Sequence, residues 1–337
     1  MREPRYRLFG RTLASSFPFT FPLPLAEGSA DLAFEAVRGT GARGLGPKGH
    51  LVYESPVTDE TGVSVLKILQ LAEEQYLLRF PGIADFTVGP RRILCHPIPP
   101  ERLDLVEVRF FGTVLAFHLE WGSSPVLHAS AVAVEDAAVL FLGGNRSGKT
   151  GLAASFLRAG SSLSSDDLVA LVVEGGEIST PPAYPQMRVW PDLAAFLVDS
   201  WEDLPRVIPE VEKRRLLVGG EGLGRFERKT LPVAAVYLPE RRAEGGGGAA
   251  DAVEVLPLKP RDAVLELLRT SFLARQVEAL GWQPRRLELF ARLAQQVPMR
   301  RLRYPSGFER LATVREAVLA DLEIIRNRPL PSRLLPG

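Results

Sequence analysis

The pattern of apolar and polar residues divides the chain into two parts with different predicted secondary structure. Up to about residue 105 the apolar runs are short, and proline and glycine separate them. These runs predict strands near residues 6–9, 33–37, 51–53, 75–80 and 93–95. We therefore expect a small, mostly antiparallel β-rich N-terminal domain over residues 1–105. Apolar residues at helical spacing over 107–121 then predict a linking helix within 106–125.

Beyond residue 125, strands and helices alternate. Apolar strands are predicted over 126–134 and 137–142, joined by a turn at Glu135 and Asp136, with further strands near 168–173, 231–238 and 299–304. Helical patterns cover residues 149–159, 260–280, 284–296 and 307–326, and Gly160 stands where the first of these helices should end. This order predicts an α/β domain over residues 126–330.

The most specific motif, Gly-x-x-x-x-Gly-Lys-Thr at 143–150, stands between a predicted strand and a predicted helix. It consists of Gly143, Gly144, Asn145, Arg146, Ser147, Gly148, Lys149 and Thr150. The glycines let backbone N–H groups point at phosphate oxygens, Lys149 brings a positive charge to the β- and γ-phosphates, and the Thr150 hydroxyl can bind Mg²⁺. The motif predicts binding of a nucleoside triphosphate. Arg146, where a small residue is common, points either outward or toward a phosphate.

Two polar groups near this motif could supply chemistry. Asp166 and Asp167 stand sixteen and seventeen residues after Thr150, where the next strand is expected to begin. Adjacent side chains on a strand point to opposite sides, so one carboxylate can hold Mg²⁺ while the other accepts a proton. Alternatively, one caps a turn and the other is solvated. His128, on the strand before the loop strand, either faces the phosphates or is a hydrogen-bonded structural residue.

These residues carry a resemblance to a known family. His128, the loop at 143–150 and the Asp166–Asp167 pair resemble, in order and spacing, the catalytic core of HPr kinase/phosphorylase. The chain is also similar to the HPr-kinase-like proteins that phosphorylate lasso-peptide precursors, through residues 6–10, 127–132, 163–171, 187–192 and 302–305. The resemblance is dense over 126–192 and diffuse elsewhere. It implies a P-loop kinase domain behind the smaller β-rich domain.

The resemblance also implies roles for individual residues. Lys149 would neutralise the transferred phosphoryl group of ATP, Asp167 would be the general base, and His128 would lie beside the γ-phosphate. Thr150 and Asp166 would serve the Mg²⁺ ion, Asp166 as a ligand or as an orienting neighbour. The related kinases form multimers, so a homo-oligomer is possible.

The chain departs from HPr kinase/phosphorylase in two respects. Gly151 replaces an acidic residue, and the later glycine-rich signature is missing; both argue against phosphorylase activity and against HPr as the acceptor. Asp192 either adds a third metal carboxylate or caps a helix near 193–199, as its position after Trp190 and Pro191 suggests.

The charge and composition of the chain limit the kinds of binding partner that can be expected. A net charge of +1 gives no reason to expect nucleic acid or a membrane as partner, and no apolar stretch is long enough to span a bilayer. Cys95 is the only cysteine, so an intramolecular disulfide and a cysteine-rich zinc site are excluded. The first residues lack the continuous apolar region of a signal peptide, and a cytoplasmic location is the expectation.

Three functions remain open from the sequence. The first is an ATP- and Mg²⁺-dependent kinase that acts on a Ser or Thr hydroxyl of a peptide or protein, such as a lasso-peptide precursor. The second is a kinase for a small molecule such as free serine, and the third is a regulator that binds ATP without transferring phosphate.

Overall fold

The first part of the chain folds into an eight-stranded sheet. In the computed structural model, which describes residues 3–37, 49–242 and 252–327, its strands are β1 (Arg5–Leu8), β2 (Arg11–Ser15), β3 (Leu32–Ala36), β4 (His50–Glu54), β5 (Lys67–Ala72), β6 (Gln75–Phe80), β7 (Ala84–Val88) and β8 (Arg92–Pro97). Their order is β1-β2-β3-β8-β7-β6-β5-β4, and only the β2–β3 and β3–β8 pairs are parallel. The mostly antiparallel sheet and its five predicted strands are confirmed. The sequence analysis missed β2, β5 and β7.

The connecting helix starts earlier than its pattern indicated. It consists of α1 (Leu103–Arg109), a π-helical turn at Phe110–Val114 and α2 (Leu115–Trp121). Phe110 stacks on Phe34 of β3 with ring centroids 3.8 Å apart, which anchors the helix on the first sheet. The core that they share also includes Val126, Leu168 and Val277, so apolar packing continues into the second part. The division at residues 105 and 125 stays a prediction.

A second, nine-stranded mixed sheet forms most of the remaining chain. Its strands are β10 (Ala129–Val134), β11 (Ala137–Leu142), β12 (Ser162–Ser165), β14 (Val172–Glu174), β15 (Glu177–Thr180), β18 (Arg225–Phe226), β19 (Leu231–Arg242), β20 (Glu254–Pro257) and β21 (Met299–Pro305). The main path is β14-β15-β19-β11-β10-β12-β18, and β21 pairs with β19 and β20. Two small sheets complete the architecture: β9 (Val126–Leu127) with β13 (Val169–Ala170), and β16 (Gln186–Val189) with β17 (Arg214–Leu217).

Helices cover both faces of the second sheet, which gives a mixed α/β fold. They are α3 (Lys149–Arg158), α4 (Pro191–Leu197), α5 (Pro260–Arg269), α6 (Ala274–Ala279), α7 (Gln283–Gln296) and α8 (Leu311–Arg326). Successive residues of β11 point to opposite faces: Phe141 packs in one buried cluster with α3 and α8, and Leu140 in another with α5 and α7. The predicted helices over 149–159, 284–296 and 307–326 are therefore confirmed, apart from a short 3₁₀ turn before α8.

Several predicted boundaries were wrong because backbone pairing overrides the local pattern. The helix predicted over 260–280 divides into α5 and α6, since the segment between them pairs with β9 through a bridge from Ser271 to Leu127. The strand predicted over 168–173 divides because β13 pairs with β9 and β14 with β15. The strand predicted over 126–134 is interrupted at His128. The strand predicted over 231–238 continues to Arg242, where β21 supplies its neighbour.

Among the described residues, no helix combines the length and the apolarity needed to cross a bilayer. Cys95 is fully buried in β8, and burial raises the pKa of its thiol to about 12. This thiol is therefore protonated at neutral pH and unreactive.

Candidate functional site

The topology of the second sheet brings three segments together at one edge. β10 runs antiparallel to both β11 and β12, so the start of β10 lies beside the ends of the other two strands. His128 immediately precedes β10, the loop at 143–150 follows β11, and Asp166 follows β12. Residues far apart in sequence therefore meet at this edge. The position of the Asp166–Asp167 pair corrects the sequence analysis: β12 ends at Ser165, so the pair follows a strand and does not begin one.

The loop at 143–150 turns sharply between β11 and α3. Gly148 has φ +102°, and a Cβ atom there would lie 2.3 Å from the Tyr304 hydroxyl. At Gly143 a Cβ atom would lie 2.7 Å from Ser147 Oγ. Both positions accept only glycine without rearrangement, as the phosphate-loop interpretation requires.

Lys149 and Thr150 stand at the start of α3. Lys149 is buried and its Nζ donates to the Gly144 carbonyl at 2.7 Å, across the loop. Burial lowers the pKa of Lys149, while the charges of Asp166 and Asp167 act in the opposite direction. The Thr150 hydroxyl donates to Asp166 Oδ1 at 3.1 Å. The structure thus brings together the lysine, the threonine and the first aspartate of the predicted site.

Asp166 is a buried carboxylate with three donors around it. Its Oδ1 accepts from Ser130 Oγ at 2.6 Å as well as from Thr150, and its Oδ2 accepts from the Arg188 backbone N–H at 3.2 Å. Burial, followed by the charge of Asp167, raises the pKa of Asp166. Ser130 was not assigned a role from the sequence, although it stands two residues after His128 and so on the same side of the strand.

Asp167 turns away from its neighbour toward His128. Its backbone adopts φ +73°, a left-handed conformation that Asp tolerates better than most residues, and its Oδ1 lies 3.0 Å from His128 Nε2. Arg188 Nη1 lies 3.8 Å from Oδ2. Burial alone would raise the pKa of Asp167, but the His128 hydrogen bond and the Arg188 charge outweigh it and hold the pKa well below its usual range. The Asp167 carboxylate of this His128–Asp167 dyad is therefore ionised.

A cavity of about 570 Å³ opens in front of these groups. His128, Asp167 and the loop from Asn145 to Thr150 line it, whereas Gly143, Gly144 and Asp166 lie outside its lining. Its other charged residues are Arg188, Asp192, Glu212, Lys213 and Arg241. Five cationic side chains against three carboxylates make the cavity suitable for an anionic ligand. The sequence analysis did not assign Arg188, Lys213 or Arg241 to the site, because their proximity to the loop depends on the positions of β16, β17 and β19.

Arg146 turns toward the cavity wall. Its guanidinium lies 4.6 Å from the Trp190 ring centroid, and Lys213 Nζ lies 5.6 Å from the same centroid. The Arg146 backbone has φ +60°, and the Arg241 guanidinium donates to its carbonyl oxygen. Stacking on Trp190 thus fixes the one loop residue whose direction the sequence left open.

Asp192 lies in the first turn of α4, which begins at Pro191. Its Oδ1 accepts from the Leu193 backbone N–H at 2.9 Å, next to the cavity. The helix therefore begins two residues earlier than expected, and its N-cap position is Trp190, whose side chain makes no capping hydrogen bond. Within the described residues, the Asp192 carboxylate is hydrogen-bonded at the helix start and not to Thr150 or Asp166.

The side-chain atoms around the cavity match only in part what a nucleotide and Mg²⁺ require as ligands. Within residues 3–37, 49–242 and 252–327, no group of three or more His, Cys, Asp or Glu side chains could hold a metal ion by itself. Mg²⁺ in nucleotide sites usually takes one or two protein oxygens and completes its shell with phosphates and water. Thr150 Oγ1 and Asp166 offer such oxygens. Ser147, which lines the cavity, has a buried Oγ without a hydrogen-bond partner among the described residues, as expected where a ligand supplies one.

Comparison with known proteins adds distant likeness to solved structures. No family model matches the chain, and no curated protein matches it by sequence. Among solved structures, the HPr(Ser) kinase/phosphatase from Coxiella burnetii is 11% identical, with a TM-score of 0.30 over 60% of this chain and 99% of that one. A likeness at this level carries no argument about activity. The function is therefore inferred from the residues of the site.

Proposed function

We propose that the protein is an ATP- and Mg²⁺-dependent kinase that transfers the γ-phosphoryl group to a Ser or Thr hydroxyl of a peptide or protein. One observation carries the proposal. A glycine-dependent loop with Lys149 and Thr150 shares one cavity with the His128–Asp167 pair, whose Nε2–Oδ1 distance is 3.0 Å. Phosphoryl transfer requires a phosphate cradle and a carboxylate facing the incoming hydroxyl, and little else from the protein.

Each residue of the site would have a separate role in phosphoryl transfer. Backbone N–H groups of 145–149 would bind the phosphate oxygens, with Lys149 offsetting their charge. Thr150, and Asp166 behind it, would hold Mg²⁺, which when bound offsets phosphate charge. Asp167 would accept the acceptor's hydroxyl proton through Oδ2, the oxygen that His128 does not bind. Its low pKa makes it a weak base, which suffices when the proton moves late and positioning dominates.

His128 would then hold Asp167 in place. Its ring packs edge-on against Phe272 at 6.0 Å, and its backbone N–H donates to the Thr270 carbonyl at 3.0 Å. These contacts fix the imidazole before any ligand arrives. With Asp167 already engaged on one oxygen, the other oxygen faces the acceptor in one orientation.

The acceptor can be identified by transfer of label from γ-labelled ATP. A lasso-peptide precursor ending in Ser, HPr and free serine are offered in parallel with Mg²⁺. Label on the peptide supports the proposal, label on serine alone replaces it with a small-molecule kinase, and nucleotide binding without any labelled acceptor replaces it with an ATP-binding regulator.

Variants test the site itself. Asp167→Asn should abolish labelling, whereas Asp136→Asn, the same change at the exposed far end of the β10–β11 hairpin, should not. Lys149→Ala should reduce transfer by about 100-fold or more, because one lost charge contact in the transition state is worth roughly 3 kcal/mol. Wild-type turnover in Lys149→Ala would remove the site assignment.

A further inference from the structure

A second cavity, of about 330 Å³, lies between the end of α2, the start of β9 and helix α7. It shares no lining residue with the cavity at the phosphate loop. Ser124 and Pro125 precede β9, and Val172 follows β13, so the cavity adjoins both strands of the small β9–β13 sheet. The inference drawn from it does not depend on the proposed kinase activity.

A buried ion pair forms the inner wall. Arg286 and Glu120 are 1% and 2% exposed, and Arg286 Nη2 lies 2.5 Å from Glu120 Oε1. The two charges cancel, but Arg286 Nε and Nη1 have no hydrogen-bond partner. Buried N–H donors without acceptors are uncommon, because each forgoes the hydrogen bond that it makes in water. Among the described residues, the Arg286 side chain therefore keeps two N–H donors for which the protein supplies no acceptor.

Arg285 adds a second positive charge to the lining of this cavity. In the described part of the chain no carboxylate oxygen lies within 4.0 Å of its guanidinium nitrogens; instead Nη2 donates to the Glu120 carbonyl at 3.0 Å and Nη1 to Ser123 Oγ at 3.4 Å. The guanidinium also lies 4.8 Å from the Trp282 ring centroid, which restrains its plane. A held guanidinium presents paired N–H donors that match a carboxylate.

The remaining wall is apolar. It consists of Val172, Val173 and Leu289, and Val173 is 43% exposed at the mouth. An anion with a short aliphatic body would satisfy both walls: its charge would face Arg285 and Ser123, and its carbon atoms the valines and the leucine. Inorganic anions would leave the apolar wall uncovered.

We propose that this cavity binds a small aliphatic monocarboxylate, with the carboxylate on Arg285 and the hydrocarbon against Val172, Val173 and Leu289. The pair of Glu120 and Arg286 behind it remains intact in the bound state. The cavity is thus a second ligand site at the other end of the β9–β13 pair from the dyad.

Calorimetric titration of the full chain with isovalerate tests the proposal, with neutral isovaleramide and inorganic phosphate as matched probes. Isovalerate should bind, isovaleramide should not, and phosphate should bind more weakly than isovalerate. Arg285→Gln should weaken isovalerate binding by at least about tenfold, because a charge-assisted pair is lost. Arg292→Gln, the same change on helix α7 where the side chain contacts the Gly176 carbonyl, should bind like the wild type.

A second variant tests the location. Val173→Glu places a negative charge at the mouth and should also abolish isovalerate binding, while its partial exposure leaves folding intact. The proposal is overturned if isovalerate does not bind, if Arg285→Gln binds it as tightly as the wild type, or if isovaleramide binds equally well. Unchanged binding in Val173→Glu would equally place the ligand elsewhere.

Discussion

Replacement of Gly148 by alanine tests the geometry of the loop at 143–150 directly. The loop enters α3 through this residue, whose φ is +102° and ψ 0°. An added Cβ atom would lie 2.3 Å from the hydroxyl of Tyr304, a residue of strand β21. Two separate penalties therefore arise in Gly148→Ala, one from the backbone conformation and one from the overlap.

Their magnitudes can be worked out separately. A non-glycine residue in this backbone region costs about 1–3 kcal/mol. The overlap must be relieved by a shift of Tyr304 or of the loop, and overpacking of a closely packed site costs roughly 1–3 kcal/mol. The free energy of unfolding of Gly148→Ala should therefore fall by about 2–6 kcal/mol.

Tyr304→Phe separates the two penalties. The Tyr304 hydroxyl is buried without a hydrogen-bond partner, so its removal alone should be neutral or stabilising by up to about 1 kcal/mol. In the double variant the overlap disappears and only the backbone penalty remains. The double-mutant cycle should show a coupling of about 1–3 kcal/mol in the direction of rescue.

Urea unfolding followed by circular dichroism measures all four proteins. Tyr237→Phe is the matched control, since that hydroxyl binds Asp321 at 2.9 Å and no Tyr237 atom is among the close neighbours of a Gly148 Cβ. Its effect should add to that of Gly148→Ala. The described packing of the loop would be refuted if the effects of Gly148→Ala and Tyr304→Phe were also additive. It would equally be refuted if Gly148→Ala lowered the free energy of unfolding by less than about 1 kcal/mol.

Three further outcomes are expected. Trp190→Leu removes the aromatic ring on which the Arg146 guanidinium stacks. Because such a cation–π contact is worth roughly 0.5–2 kcal/mol, ATP binding measured by calorimetric titration should weaken by about 2- to 30-fold. Unchanged affinity would show that Trp190 does not have this role. Glu107→Ala removes the carboxylate that lies 2.7 Å from the buried Arg215 guanidinium. The free energy of unfolding should fall by about 3–5 kcal/mol, because a buried charge is left unpaired. A decrease under about 1 kcal/mol would contradict the buried ion pair. Burial lowers the pKa of His118, so the unfolded chain binds a proton that the folded chain excludes, and stability should fall as the pH drops below about 6.5. In His118→Gln, unfolding curves measured at different pH values should no longer show this decrease in stability. The same pH profile in His118→Gln and in the wild type would contradict the prediction.

The sequence predicted those features that short segments specify. The loop at 143–150 needs glycines at 143 and 148 and a following helix, and its spacing alone identified it. The same holds for the β10–β11 hairpin, whose turn at Glu135 has φ +54°, and for the end of α3 near Gly160. In each case a short segment carries the signal, and its local conformational preference decides the feature.

The order of strands could not be found in this way. The meeting of His128, Thr150 and Asp166 depends on β10 lying between β11 and β12, and hydrogen bonds between distant segments set that order. The expectation that Asp166 begins a strand failed for this reason: β12 ends at Ser165, where pairing with β10 stops. The helix expected over 260–280 likewise divides where backbone pairing with β9 offers its donors better partners.

By itself, the sequence determined the phosphate-loop motif, the β-rich beginning, the α/β remainder and the residue types available for chemistry. Only the tertiary structure decided which cations face the loop and that Asp167 rather than Asp166 lines the cavity. It also decided that no carboxylate among the described residues pairs with Arg285, whose guanidinium donates to the Glu120 carbonyl instead. The reason is that electrostatic and packing relations act through space, between segments whose separation along the chain leaves no periodic trace.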